Sequence, residues 1–258
     1  MKTKKITKYI INWLNNYCKK NNLSGFIVGI SGGIDSALTS TLCAMTNKKV
    51  ILVSMPIRQN KTEYKRAIKH IDTLEKHHKN VSSYDIDLSN AFLEIEKVMP
   101  FDISKNNLAM ANSRSRLRMT TLYSLAQANN CLVVGTGNKV EDFGIGFFTK
   151  YGDGGVDISP IADLNKTTVW EIAKELNIIE EIILASPTDG LWDDNRTDEE
   201  QIGASYKELE WAMEYKDDET NINKREKEVL KIYKKLNKMN EHKIKPIPIC
   251  IIPEKLKK

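Results

Sequence analysis

The sequence has few of the features that a membrane protein, a secreted protein or a metal-cluster protein needs. Its four cysteines are far apart and form no CxxC pair, so they favour buried thiols over a disulfide framework or a metal cluster. No apolar run approaches the roughly 20 residues that span a bilayer. The amino-terminal stretch MKTKKITKYIINWLNNYCKK interleaves charged with apolar residues, unlike a signal peptide. These absences predict a folded cytoplasmic protein with no membrane partner.

A basic stripe interleaved with aromatic residues, typical of nucleic-acid binding, is also missing from the sequence. The net charge of +5 comes mainly from lysines spread along the chain. Hydrophobic residues make up 41% and charged residues 28%, close to globular averages. We therefore expect one folded domain without a nucleic-acid partner, and the positive charge leaves attraction for an anionic substrate open.

Buried strands alternate with helices in the first half of the chain, after an amphipathic helix over residues 6–17. The pattern predicts strands at 25–30, 49–56, 83–88 and 131–137, and helices at 34–46, 61–78, 104–129, 166–177 and 221–240. Such alternation indicates an α/β fold with a parallel sheet covered by helices on both faces. A glycine-rich segment without a period (138–160), a polar loop (186–200) and a proline-containing extended tail (241–255) complete the prediction.

The stretch GISGGIDSALTS (29–40) joins the first predicted strand to a helix. A glycine loop at this place directs backbone N–H groups and a positive helix end at one point, which suits a phosphate. The loop is not a Walker A motif, because Asp35 stands where that motif has its lysine. A dinucleotide fingerprint beginning at Gly135 and Gly137 fails as well, since Val140 occupies the position of the third glycine.

The residues SGGIDS (31–36) resemble the SGGxDS loop of the ATP pyrophosphatase, or PP-loop, superfamily, whose members split ATP between the α- and β-phosphates. The resemblance implies that loop amides and the hydroxyls of Ser31 and Ser36 bind pyrophosphate. It also implies that Asp35 holds Mg²⁺, which would neutralise the pyrophosphate charge.

Five further segments, from NSRSRLRMTTLYSLAQ to EHKIKP, resemble the signature segments of ammonia-dependent NAD synthetases in the same order, over residues 5–250. This implies an adenine nucleotide alpha hydrolase-like, doubly wound parallel sheet in a single domain (1–258) with a helical and extended carboxy-terminal elaboration. The implied activity is that of a ligase: ATP adenylates the nicotinate carboxylate of deamido-NAD, and ammonia then gives NAD, AMP and pyrophosphate. We expect a homodimer and no glutaminase domain, so free ammonia is the expected nitrogen donor.

The resemblance also implies site residues, position by position. ATP is expected on Gly29, Ile30, Ser31, Gly32, Gly33, Ile34, Asp35, Ser36, Thr136, Lys166 and Thr188. Deamido-NAD is expected on Arg116, Lys150, Asp157, His242 and Lys243, and Mg²⁺ on Asp35 and Glu141. Asp157 is a hypothetical acceptor of the ammonium proton. The spacing from Glu141 to Lys150 is one residue longer than in many relatives, so Asp142 competes with Glu141 for the metal.

Other functions stay open on the sequence alone. A tRNA-modifying PP-loop enzyme would be expected to have a basic RNA-binding appendage and catalytic cysteines in its loops, whereas Cys43 lies in a predicted helix and Cys131 at the start of a predicted strand. Amidation like that of GMP synthetase or asparagine synthetase is closer in chemistry, but the segment FFTKYGDGG and the residues 242–243 favour a dinucleotide substrate. A nucleotide sensor without turnover is the non-enzymatic alternative.

Overall fold

Four parallel strands form the centre of the fold in this computed structural model, which describes residues 2–188, 197–216 and 221–257. The strands are β1 (Gly25–Gly29), β2 (Lys49–Ser54), β3 (Val81–Asp85) and β4 (Cys131–Val133). Their order in the sheet is β3-β2-β1-β4, so the chain moves outward from β1 to β3 and then returns to the other side of β1. The carboxyl ends of β1 and β4 therefore border the switch point at which open α/β sheets bind ligands.

Eleven α-helices are found in the described residues, together with a π-helix (Lys139–Ile145) and a 3₁₀ turn (Glu254–Leu256). The α-helices are α1 (Lys2–Lys20), α2 (Ile34–Ala44), α3 (Lys61–His77), α4 (Ser89–Val98), α5 (Phe101–Ser104), α6 (Asn107–Asn129), α7 (Lys166–Glu175), α8 (Glu180–Ile183), α9 (Asp198–Ile202), α10 (Tyr206–Glu214) and α11 (Lys224–Ile244). None of the helices in the described residues is both long and apolar enough to cross a membrane.

Alternate residues of the central strands enter two separate cores. Phe26 and Val28 of β1 pack with α1, α2 and α7 on one face, whereas Ile27 packs with α4 and α6 on the other. This alternation follows from the two-residue period of a strand. The doubly wound α/β fold predicted from the sequence is confirmed.

A third apolar cluster lies outside the sheet and holds the carboxy-terminal helices together. It joins Val140 and Ile145 of the π-helix to Leu209 of α10 and Val229 of α11. The predicted helical elaboration is therefore packed against the segment that carries Glu141.

Several predicted boundaries are wrong. The third strand spans 81–85 rather than 83–88, because it is a largely exposed edge strand and the apolar residues Ile86 and Leu88 enter the core only after it ends. The fourth strand stops at Val133, since Val134 and Gly135 instead pair with Ile158 of the returning chain. Asn106 caps α6, so the helix begins later than predicted.

Three segments predicted to lack helix contain one. Residues 139–145 form the π-helix, which has no 3.6-residue period for a sequence pattern to reveal. Residues 241–244, assigned to the extended tail, are instead the last turn of α11. Within the predicted polar loop, Thr197 caps α9, and residues 189–196 lie outside the described part of the chain.

Candidate active site

The loop between β1 and α2 turns tightly and leaves the start of α2 open. Gly32 has φ +86°, and a β-carbon there would lie 2.3 Å from the Glu63 carbonyl oxygen, so only glycine fits. The Ser31 and Ser36 hydroxyl oxygens are 3.1 Å apart. Gly33 caps α2 without a side-chain hydrogen bond. The geometry suits an anion at the helix amino terminus.

Lys166 lies at the start of α7 and joins two carboxylates from different parts of the chain. Its Nζ is 2.5 Å from Asp35 Oδ2 and 2.8 Å from Glu141 Oε1, and its side chain is only 2% exposed. Asn138 also donates to Asp35, at 3.2 Å. The Tyr206 hydroxyl donates to Glu141 Oε1 at 2.6 Å. We refer to Asp35, Asn138, Glu141, Lys166 and Tyr206 as the Lys166 cluster.

The pKa values in this cluster reflect competition between burial and charge pairing. Burial alone would lower the pKa of Lys166, but Asp35 and Glu141 outweigh it and raise that pKa above its usual value. Burial would likewise raise the pKa of Glu141, but Lys166, Tyr206 and Asn138 together keep it below the usual value. Burial raises the pKa of Asp35, and repulsion from the Glu141 carboxylate adds to this, so the pKa stays above its usual value in spite of Lys166 and Asn138.

The Asp35 and Glu141 carboxylates suit a magnesium ion that arrives with a nucleotide. No group of three or more His, Cys, Asp or Glu side chains in the described ranges could hold a metal. Magnesium is commonly bound by one or two carboxylates together with substrate phosphates and water. The two carboxylates that share Lys166 match that pattern. They could not hold the ion with protein ligands alone.

The π-helix Lys139–Ile145 carries both candidate metal carboxylates, Glu141 and Asp142. A π-turn takes one residue more than an α-turn, which would suit the longer spacing expected between Glu141 and Lys150. Asn138 caps this helix by accepting from the backbone N–H groups of Val140 and Glu141, both at 3.1 Å. With this geometry Glu141 reaches Lys166, while the Asp142 carboxylate lies against Gly137, where a β-carbon would be 1.9 Å from Asp142 Oδ2. Burial, and then the nearby carboxylates, raise the pKa of Asp142 well above its usual value.

A second group of cations lies where α6, residues 148–150 and α11 meet. Lys150 Nζ donates to the His242 carbonyl oxygen at 2.6 Å, and Lys243 Nζ donates to the Phe148 carbonyl oxygen at 2.7 Å. Arg116 Nε donates to the Lys150 carbonyl oxygen at 3.2 Å. The structure thus brings together Arg116, Lys150, His242 and Lys243, which the resemblance assigns to one substrate.

Asp157 occupies a different environment, along the edge of β4. Its Oδ1 accepts from the Tyr123 hydroxyl at 3.0 Å, and its Oδ2 accepts from the Val133 backbone N–H at 2.8 Å. Burial, and then Asp157, raise the pKa of Tyr123 to about 12. These bonds give Asp157 a structural role, so proton transfer by this residue stays a prediction.

Two further residues of the predicted ATP site are threonines. Thr136 is half-buried and lies shortly after the end of β4. Thr188 Oγ1 donates to Glu63 Oε1 at 2.7 Å, and the Glu63 carbonyl oxygen faces Gly32. Thr188 is therefore linked to the phosphate loop through α3.

Three residues near the site were missed in the sequence: Asn138, Tyr206 and Glu210. Glu210 accepts from the Thr167 backbone N–H at 2.9 Å and from its hydroxyl at 2.8 Å, at the start of α7. A capping box at Ser205 and Glu208 begins α10, and this pattern could have located Tyr206 at the first position of a helix.

A doubly wound sheet with a glycine phosphate loop and a lysine–carboxylate cluster at its switch point defines an α/β nucleotide-binding protein. A family model described as NAD synthase matches residues 6–247. The chain is 36% identical over 246 residues to the NH(3)-dependent NAD(+) synthetase of Mesoplasma florum, covering 94% of this chain and 95% of that protein. The chain belongs to the NAD synthase family.

Two solved structures of the same architecture are similar along nearly the whole chain. The NMN synthetase of Francisella tularensis has a TM-score of 0.83 and 29% identity, with 98% of each chain covered. The NH3-dependent NAD synthetase of Campylobacter jejuni has a TM-score of 0.76 and 26% identity, with 97% of this chain and 100% of that chain covered. These relatives confirm the family to which the resemblance pointed.

Proposed function

We propose that this protein is a carbon–nitrogen ligase that uses ATP and ammonia to amidate deamido-NAD to NAD. The observation that carries the proposal is the Lys166 cluster at the end of the phosphate loop, in a chain of the NAD synthase family. A lysine and two carboxylates at this point can bind a nucleotide whose charge is partly neutralised by a metal.

The first step is adenylation. A nicotinate carboxylate oxygen bonds to the α-phosphorus of ATP while the bond from that phosphorus to the bridging oxygen breaks, and pyrophosphate leaves. Residues 29–36, with Thr136, Lys166 and Thr188, bind ATP and orient the α-phosphate for this in-line attack. The Lys166 ammonium group can turn from the carboxylates to a phosphate, where its positive charge would stabilise the pyrophosphate leaving group.

Asp35 and Glu141 are the residues that would hold Mg²⁺, since they share a cation whereas Asp142 lies against Gly137. When bound, Mg²⁺ stabilises the negative charge that develops on the pyrophosphate. Asn138 and Tyr206 keep the two carboxylates facing one another.

In the second step ammonia attacks the acyl carbon, the carbon–oxygen bond to AMP breaks, and a proton is lost. Arg116, Lys150 and Lys243 supply the positive charge that would bind the phosphates of deamido-NAD, and His242 lies beside Lys150 and Lys243. Asp157 is proposed to receive the ammonium proton. To do so, its carboxylate must give up one of its two hydrogen bonds and accept one from ammonium instead.

A second candidate substrate is nicotinate mononucleotide, which would give NMN. The observation that favours it is the similarity to the NMN synthetase of Francisella tularensis. Both substrates present the same nicotinate carboxylate, and they differ in the adenylate half that only deamido-NAD carries.

The proposal includes a single domain that takes free ammonia and works as a homodimer. Three exposed apolar residues near the start of α6 support the dimer: Val98 is 76%, Phe101 78% and Leu108 56% exposed.

Because ATP and nicotinate nucleotides are made inside cells, the cytoplasm is the proposed location.

The test is to incubate the protein with ATP, Mg²⁺, ammonium and either deamido-NAD or nicotinate mononucleotide, and to resolve the nucleotide products. We expect NAD, AMP and pyrophosphate in equal amounts, with no NAD formed when Mg²⁺ or ammonium is omitted. Faster formation of NMN would favour the second candidate. ADP and phosphate as products would contradict cleavage between the α- and β-phosphates.

A further inference from the structure

We propose that Tyr206 is a positioning residue for MgATP: it fixes the Glu141 carboxylate and the Lys166 ammonium group without touching a substrate. The inference rests on the proposed role of Asp35, Glu141 and Lys166 in binding MgATP. It assigns a function to α10, a helix that contributes none of the residues implied by the family resemblance.

The Tyr206 side chain contacts both charged partners at once. Its hydroxyl donates to Glu141 Oε1 at 2.6 Å, the same oxygen that accepts from Lys166. Its ring centre is 4.8 Å from Lys166 Nζ, within range of a cation–π interaction. The hydroxyl is also 3.1 Å from Asp198 Oδ2 in α9. Tyr206 therefore limits where the carboxylate and the ammonium group can go.

The position of Tyr206 is itself fixed by its surroundings. The side chain is 1% exposed and packs edge to face on Trp170, with ring centres 5.9 Å apart. The backbone N–H of Tyr206 donates to Glu199 Oε1 at 2.9 Å. A capping box formed by Ser205 and Glu208 starts α10 at this residue. A buried aromatic ring at a capped helix start leaves its hydroxyl little freedom to move.

Helix α10 also fixes the backbone from which Lys166 projects. Asn165 caps α7 without a side-chain hydrogen bond. Glu210, one turn after Tyr206, instead accepts from the backbone N–H and the hydroxyl of Thr167. The same helix thus sets the start of α7 through Glu210 and the direction of the Lys166 side chain through Tyr206.

The physical need for such a residue follows from the charges. Glu141 and Asp35 share one ammonium group, so Glu141 loses its main charge partner when Lys166 turns to a phosphate. The Tyr206 hydroxyl does not depend on Lys166, and it keeps the Glu141 carboxylate oriented toward Asp35 during that change. A hydrogen bond to a charged group contributes more than one between neutral groups.

The test compares Tyr206→Phe with Tyr233→Phe, which removes the hydroxyl of a half-buried tyrosine in the same apolar cluster. Calorimetry measures the binding of α,β-methylene-ATP with and without Mg²⁺, and the binding of deamido-NAD. We expect Tyr206→Phe to bind the analogue about tenfold more weakly with Mg²⁺, and less than about threefold more weakly without it. Its deamido-NAD affinity should be unchanged, and Tyr233→Phe should match the wild type throughout.

A double variant tests whether Tyr206 acts through Glu141. Tyr206→Phe with Glu141→Gln should bind the analogue and Mg²⁺ no more weakly than Glu141→Gln alone. If Tyr206→Phe does not fold, Glu210→Ala must give the same Mg²⁺-dependent loss, because it acts on Lys166 from the same helix.

Unchanged Mg²⁺-dependent affinity in Tyr206→Phe would overturn the inference, as would an equal loss for every ligand, which would indicate a general structural role. These measurements need no turnover. A protein that makes no NAD but shows the Mg²⁺-dependent loss would therefore contradict the proposed function and leave the role of Tyr206 standing. A wild-type protein that does not bind the analogue with Mg²⁺ would overturn both.

Discussion

The two halves of the candidate site handle positive charge in opposite ways. In the ATP half, the buried ammonium of Lys166 is paired with the carboxylates of Asp35 and Glu141. In the dinucleotide half, Lys150 and Lys243 donate to neutral backbone carbonyls. In the first half two carboxylates already hold the one ammonium group before any ligand binds. In the second half the ammonium groups rest on carbonyls, with the Asp142 and Asp153 carboxylates acting on Lys243 from nearby, so they can still be offered to an anion.

This difference indicates what each half contributes to the fold and to binding. A buried charge is costly unless it is paired, so the ATP half depends on its own internal contacts. A cation that rests on a carbonyl can exchange it for a phosphate at little cost. We therefore expect changes in the ATP half to alter stability, and changes in the dinucleotide half to alter substrate affinity.

The largest expected effect comes from Lys166→Met, which leaves two buried carboxylates without their cation. We expect the free energy of unfolding in urea to fall by about 3–5 kcal/mol. The matched control is Lys139→Met, which breaks an exposed pair with Asp163 and should cost less than about 1 kcal/mol. Equal losses in the two variants would contradict the difference between paired buried and exposed charges.

A second prediction concerns the pH dependence of stability near the ATP half. His70 of α3 is buried against α2, with its Nε2 2.9 Å from the Ser40 hydroxyl. Burial lowers the pKa of His70 from 6.5 to about 4. Between about pH 6.5 and 4 the unfolded chain binds a proton at His70 that the folded protein does not bind, so the free energy of unfolding falls as the pH is lowered through this window. The loss between pH 6.5 and 4 should approach about 3 kcal/mol.

Urea unfolding at a series of pH values measures this dependence. In His70→Gln the free energy of unfolding should change less steeply between pH 6.5 and 4. His77→Gln, which changes an exposed histidine of the same helix, should keep the wild-type slope. A slope unaffected by His70→Gln would show that other groups determine the acid sensitivity.

The third prediction separates a structural from a chemical role for Asp157. If it accepts the ammonium proton, Asp157→Asn should lower kcat at saturating ammonium roughly a hundredfold, with little change in stability. Asp163→Asn, at a carboxylate whose side chain is 97% exposed, is the control and should retain full turnover. Full turnover in Asp157→Asn would leave this residue only its bonds to Tyr123 and Val133.

The smallest expected effect lies in the dinucleotide half. Lys243→Met should change stability by less than about 1 kcal/mol, since among the described residues its ammonium contacts only the carbonyl and the ring of Phe148, but should raise the KM for deamido-NAD about tenfold. The KM for ATP should not change. Lys245→Met, which removes a cation paired on the surface with Glu241, is the control for net charge. A rise in both KM values would show that the two halves are not separate.

The glycine loop is the part of the candidate site that depends on local order. A glycine loop between a buried strand and a helix indicates a phosphate site from the residues alone, whereas the expected roles of Asp35 and Lys166 came from the family resemblance. The contact of Lys166 with the carboxylates of residues 35 and 141 is tertiary and has no local signal.

The π-helix and Tyr206 could not be obtained in the same way. A π-helix breaks the 3.6-residue period that identifies a helix, so the periodicity of residues 139–145 does not reveal it. Tyr206 lies in a third apolar cluster, where an aromatic residue is usually explained by packing alone. Its role depends on Glu141 and Lys166, which are distant from it in the sequence.

The two halves are expected to meet in one reaction, in which the carboxylate held by the dinucleotide half attacks the ATP held by the other. This can be followed with deamido-NAD labelled with ¹⁸O in both carboxylate oxygens and mass spectrometry of the AMP released. We expect one ¹⁸O atom in each AMP and one retained in the amide of NAD. Unlabelled AMP formed together with NAD would contradict an adenylated carboxylate.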